Sequence, residues 1–173
     1  MVVGLGGVGM AALLVAVALG FEAIGVDALA DKLDAARANG ASATYMPADL
    51  GSVRAPVVIE AAGSARAFET ALAATAPGGT TVTVGLPAPD ARASVSPLTL
   101  TAEARTVVGS YLGSAVPARD IPLYVDLWRS GRLPLERLVS SRITLHDLDV
   151  AMDRLAAGGE LRQLIVLDER NVL

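Results

Sequence analysis

The sequence predicts an α/β fold, a doubly wound parallel sheet of six strands followed by a less regular α+β tail. Three observations predict it. Short apolar runs alternate with Ala/Leu-rich helical stretches as far as about Gly113. Runs such as Val57-Val58-Ile59 are continuously apolar, as strands covered on both faces are. A glycine cluster, Gly4-Leu5-Gly6-Gly7-Val8-Gly9, separates the first run from the first helix.

Each element has its own signal. Val2-Val3 ends a first strand that is short at its start. Met10 to Leu19 reads as a helix stopped by Gly20, and Ala23 to Val26 as a second buried strand. Asp31 to Asn39 is an amphipathic helix with Leu33 and Ala36 inward and Gly40 as its C-terminal stop. Ala43 to Met46 is a weak third strand, and Pro47 to Pro56 a loop. Val57 to Ile59 forms the fourth strand. Ala65 to Ala74 is a helix ended by Pro77-Gly78-Gly79, and Thr80 to Val84 is the fifth strand. The proline-bearing stretch Leu86 to Ser96 reads as a loop, and Thr106 to Leu112 as the sixth strand.

Residues 1–112 thus form one predicted domain and residues 113–173 a C-terminal segment. In that segment Asp120 can cap a helix from Ile121 to Ser130, with Pro122 in its first turn. Val139 to Thr144 is a candidate strand. Thr144 and Asp147 make a capping-box start for a helix to Ala157, closed by Gly158-Gly159, and Leu164 to Leu167 is a last strand.

Composition narrows the function. Of 173 residues 53% are hydrophobic, which excludes a disordered chain, and only 3% are aromatic, so Ala, Val and Leu must build the core. A net charge of −4 argues against a nucleic-acid partner. The absence of cysteine excludes disulfides and thiolate chemistry, and the lone His146 excludes metal sites that need two histidines. The uncharged stretch Met1 to Phe21 resembles a membrane span in apolarity alone. Its clustered glycines, the lack of a preceding Lys or Arg, and the strand-like run that follows point to a soluble, cytoplasmic protein.

The cluster fits G-x-G-x-x-G, and each residue type has a physical job. Gly4 makes the turn out of the strand, Gly6 lets the backbone approach a pyrophosphate, and Gly9 lets helix and sheet close up. The amides of Gly7 and Val8 at the helix N-terminus can donate to the phosphates. Asp27, at the end of the second strand, stands where an acid accepts from ribose hydroxyls. A carboxylate there repels the extra phosphate of NADP, so NAD is the expected cofactor. Lys32 is within reach of the same ribose.

These residues, with Lys32-Leu33-Asp34-Ala35-Ala36-Arg37, Val58-Ile59-Glu60-Ala61-Ala62-Gly63, Gly78-Gly79-Thr80-Thr81-Val82-Thr83-Val84-Gly85-Leu86, Gly109-Ser110-Tyr111-Leu112-Gly113 and Leu161-Arg162-Gln163, resemble the medium-chain dehydrogenase/reductase family. More closely, they resemble the coenzyme half of zinc-dependent alcohol dehydrogenases, with a Rossmann sheet. The resemblance implies that Ala61, Ala62 and Gly63 line the nicotinamide ribose. It implies that Val84, Ser110 and Leu112 serve the carboxamide beside Gly85 and Leu86, and that Arg162 reaches the pyrophosphate. It also implies a homodimer joined through the Thr106 to Leu112 edge, and a tail that packs on a catalytic domain.

That domain, which carries the zinc ligands in the family, has no counterpart in this sequence. The expectation is therefore the C-terminal part of a dehydrogenase, from a truncated gene or an excised piece, with zinc only in the absent domain. The chain itself then holds no metal and no catalytic residue, and does not turn over alcohols alone. His146 is expected to be an exposed helix-start residue, and Glu60 and Asp49 to be structural. The alternatives are a non-catalytic dinucleotide-binding module or pseudoenzyme, and a zinc-free quinone reductase, whose usual NADPH preference Asp27 opposes.

Overall fold

Six strands of the computed structural model, which describes residues 1–167, lie in one wholly parallel sheet. They are β1 (Val2–Val3), β2 (Ile24–Val26), β3 (Ala43–Tyr45), β4 (Ala55–Glu60), β5 (Thr75–Thr83) and β6 (Thr106–Gly109). Their order, β3-β2-β1-β4-β5-β6, is that of a doubly wound Rossmann sheet, as the sequence predicts. The order reverses between β1 and β4, so a crevice opens at the carboxyl ends of those two strands.

Helices cover both faces because strand side chains alternate. Val3, Val26 and Val58 point to one face and join Leu50, Ala55 and Ala71 and Ala74 of α3 (Ala65–Ala74) in a single buried cluster. On the other face α1 (Gly7–Ala18) buries Met10, Leu13 and Leu14, and α2 (Ala30–Ala38) buries Leu33 and Ala36. The approach is close: a methyl at Gly25 of β2 would stand 3.1 Å from Leu5 Cδ1, 3.3 Å from Ala36 Cβ and 3.4 Å from Leu13 Cδ1. Each fully buried leucine contributes roughly 1.5–3 kcal/mol. Small residues do the rest by letting backbones approach. Among the described residues no helix is long and apolar enough to cross a membrane.

Several boundaries differ from the sequence reading. Helix α1 starts at Gly7, inside the glycine cluster rather than at Met10. Strand β5 starts at Thr75, where Thr75 Oγ donates to the Ala71 carbonyl and is met by Thr81 Oγ at 2.6 Å. The β4–β5 ladder shifts register between Ala55 and Val57, so Pro56 falls where the ladder lets go, and Pro77-Gly78-Gly79 is the bulge in the strand rather than a linker before it. A short helix, α4 (Pro97–Ala102), capped by Ser96, follows the predicted loop in a stretch to which the sequence reading assigns no element. Strand β6 ends at Gly109, not Leu112: Leu112 has φ of 59°, which no strand continues through. Helix α5 (Pro117–Arg129) starts ahead of Asp120, whose carboxylate lies one turn inside and accepts from Val116 N.

The chain divides into two compact units, Met1–Leu133 and Pro134–Leu173. Within the first unit α5 buries Leu127, and Arg132 donates to the Ala18 carbonyl at 2.7 Å. The second unit pairs β7 (Ser141–Ile143) in parallel with β8 (Gln163–Ile165), joined through α6 (Leu148–Ala156). The predicted capping box is present: Thr144 and Asp147 bond reciprocally, opening a 3-10 turn, Leu145–Asp147, that runs into α6.

Candidate functional site

The crevice is built from the turn after β1. Gly4 takes φ of +90°, and its amide donates to the Val26 carbonyl at 2.8 Å. A Cβ there would lie 2.6 Å from Ala62 N, and one at Gly9 would collide with the Gly4 carbonyl. Gly4 and Gly9 are therefore required by packing. Gly6 is different: a Cβ there meets nothing within 4 Å, so the protein supplies no steric reason for it. It caps α1 without a side-chain bond, and no acid stands in the first turn. The first-turn amides of Gly7 and Val8 have no intrahelical partner and carry the positive end of the helix dipole. This open, uncapped end suits an anionic phosphate.

Asp27 leaves β2 beside it. Its Oδ2 accepts from Leu5 N at 2.7 Å and its Oδ1 from Leu29 N at 3.0 Å, so the carboxylate fastens the glycine turn and keeps its remaining lone pairs for a ligand. Asp27 lines a cavity of about 360 Å³ with Gly4, Met46, Ala62 and Arg66. Lys32 lies half-buried on the first turn of α2 and does not line this cavity.

A second cavity, of about 450 Å³, opens at the ends of β4, β5 and β6 and is lined by Glu60, Phe68, Val84, Gly85, Leu86 and Ser110, among others. Ser110 N donates to the Thr83 carbonyl at 2.9 Å, and Val84 N to the Glu60 carbonyl at 2.9 Å. Ala61 N donates to Val3 O at 2.8 Å, and Gly63 packs on Leu86. Leu112 is 91% exposed and lines neither cavity. Arg162 belongs to the second unit, where its carbonyl accepts from Ser140 N, and His146 is exposed in the 3-10 turn of that unit.

Sequence reading does not single out Arg66, Met46 or Phe68. Arg66 follows Gly63 closely enough to have been suspected; Met46 and Phe68 enter the cavities only through chain folding. Among the described residues no three His, Asp or Glu side chains gather into a group that could hold a metal ion. The open space at Gly6 and the carboxylate of Asp27 have the chemistry that a dinucleotide's diphosphate and ribose hydroxyls require.

Residues 7–129 match the zinc-binding dehydrogenase family. The chain is 32% identical to a geraniol dehydrogenase of Castellaniella defragrans over 93% of its own length and 46% of that protein's. The crystal structure of an alcohol dehydrogenase zinc-binding domain protein from Burkholderia ambifaria superposes with a TM-score of 0.89 at 26% identity, over 97% of this chain and 48% of that one. Benzyl alcohol dehydrogenase of Acinetobacter calcoaceticus shares the fold, with a TM-score of 0.88 at 24% identity, over 96% of this chain and 49% of that one. The chain spans about half the length of the curated relatives it matches.

Proposed function

The chain belongs to the zinc-binding dehydrogenase family, and we propose that it is the NAD-holding portion of an alcohol dehydrogenase-like oxidoreductase. The observation that carries the reading is the uncapped N-terminus of α1, opened by Gly6 at the switch between β1 and β4. In this reading Gly6, Gly7 and Val8 hold the diphosphate, with Gly4 and Gly9 setting the turn. Asp27 accepts from the adenosine ribose hydroxyls, assisted by Lys32. Ala61, Ala62 and Gly63 face the other ribose, and Val84, Gly85, Leu86, Ser110 and Leu112 frame the nicotinamide.

Bound NAD supplies the hydride acceptor; these residues supply only orientation and electrostatics. Zinc, in the same reading, is held by residues outside this chain, and the chain alone leaves alcohols untouched. Because the chain covers about half of its relatives, alcohol oxidation is proposed for the whole enzyme. We further propose a homodimer through β6, all four residues of which are exposed, including Val107 and Val108.

Calorimetry tests the reading. NAD and NADH should each bind at one site per chain, and NADP at least about tenfold more weakly, the cost of setting a phosphate against Asp27. Absence of heat with NAD and NADH overturns the assignment; equal NAD and NADP affinity overturns the NAD preference.

A further inference from the structure

Glu60 ends β4, and its side chain is buried, the residue being 1% exposed. Among the described residues no cation forms a salt bridge with it. A buried carboxylate persists only when hydrogen-bond donors replace its lost water, and Glu60 has three. Its Oε1 accepts from Ala62 N at 2.9 Å and Gly63 N at 2.7 Å, and its Oε2 accepts from Thr83 Oγ1 at 2.9 Å. Its carbonyl accepts from Val84 N at 2.9 Å and Gly85 N at 3.2 Å.

One residue therefore joins the loop leaving β4 to the exit of β5. The two loops are drawn so close that a Cβ on Gly85 would collide with the Gly63 backbone and stand 3.0 Å from Glu60 Oε2. A Cβ on Gly63 would stand 3.0 Å from Leu86 N. The same carboxylate-bearing residue borders the 450 Å³ cavity with Val84, Leu86 and Ser110. Asp27 is absent from that cavity and borders the other one.

We propose that Glu60 is a positioning residue for the nicotinamide half of the coenzyme: it fixes the spacing of the Ala61–Gly63 and Val84–Leu86 loops. The inference rests on the coenzyme reading above. It separates two halves of one site. The adenosine half depends on Asp27 and the glycine turn, and the nicotinamide half depends on a carboxylate that reaches it through backbone amides.

The test is titration of the full chain with NADH and with ADP, which lacks both the nicotinamide and its ribose. Glu60→Ala should weaken NADH by about tenfold or more, the loss of one or more charge-assisted hydrogen bonds, and leave ADP within about threefold. Glu60→Gln should restore NADH affinity to within about threefold, because an amide oxygen still accepts from Ala62 and Gly63 while Thr83 turns its hydroxyl to accept from the amide nitrogen. Thr83→Val, which removes only the hydroxyl arm, covers the case in which Glu60→Ala does not fold, and should weaken NADH selectively by several-fold.

Equal weakening of both ligands, or of neither, overturns the positioning role. So does a wild-type affinity for NADH no higher than for ADP, which leaves the coenzyme reading standing. Binding of neither ligand by wild type overturns the coenzyme reading itself, and this inference with it.

Discussion

Gly6 and Gly9 stand in one motif and are glycine for different reasons, which two substitutions separate. At Gly9 a methyl meets the Gly4 carbonyl, backbone that cannot move aside. Gly9→Ala should therefore destabilise the fold by about 1–3 kcal/mol or more, read as a lowered midpoint in denaturant. At Gly6 a methyl meets no protein atom. Gly6→Ala should lower that midpoint by no more than the preference for glycine over alanine at a helix N-cap, about 1 kcal/mol or less, yet weaken NADH by about tenfold because the methyl occupies the diphosphate's approach. Unchanged affinity in Gly6→Ala would count against the diphosphate contact. The motif was legible in sequence because its residues are consecutive and their chemistry is carried by spacing. Glu60 was legible only as a structural acid. Its donor Thr83 lies 23 residues away, and a single Glu at the end of an apolar strand carries no periodic mark.

Elements were legible where periodicity and punctuation agreed. The helix read over Ala65 to Ala74 is α3 to the residue, capped by Ser64 accepting from Ala67 N. Helix α4 was missed because six residues are too few to display a period, although Ser96-Pro97 is a start signal. The end of β6 was misplaced because Leu112 adopts a left-handed conformation that its side chain does not advertise. The exposed β6 gives a prediction at this scale: Val108→Glu should convert a dimer to monomers in sedimentation equilibrium, and a dimer that survives it joins elsewhere. The start of α6 gives another. The Thr144 hydroxyl and amide hold the Asp147 carboxyl below the usual carboxylate range. A depressed folded-state pKa contributes stability above the unfolded value and loses it as pH falls through the folded one. Amide protection in the first turn of α6 should therefore fall on acidification from about pH 5 downward, and Asp147→Asn should lack that dependence.

At the scale of the whole molecule, the six-strand parallel topology followed from buried strands alternating with helices, and the crevice followed from the topology. A ligand that binds only the folded chain must stabilise it. NADH at about a hundredfold over its Kd should raise the unfolding free energy by about 2.7 kcal/mol, seen as a higher thermal midpoint. The same preparation should reduce no NAD with alcohols in a coupled assay. Turnover without zinc by this chain alone would move catalysis onto residues given only orienting roles above.

The register shift at Pro56 has a use in the laboratory. It lies at the amino end of β4, with the rest of that strand between it and the crevice. Gly78, exposed at φ of 72° with open space around it, marks the spot on the neighbouring strand. A peptide tag or a fluorophore grafted there should be carried as cargo, its signal following unfolding while coenzyme titrations read as in the untagged protein.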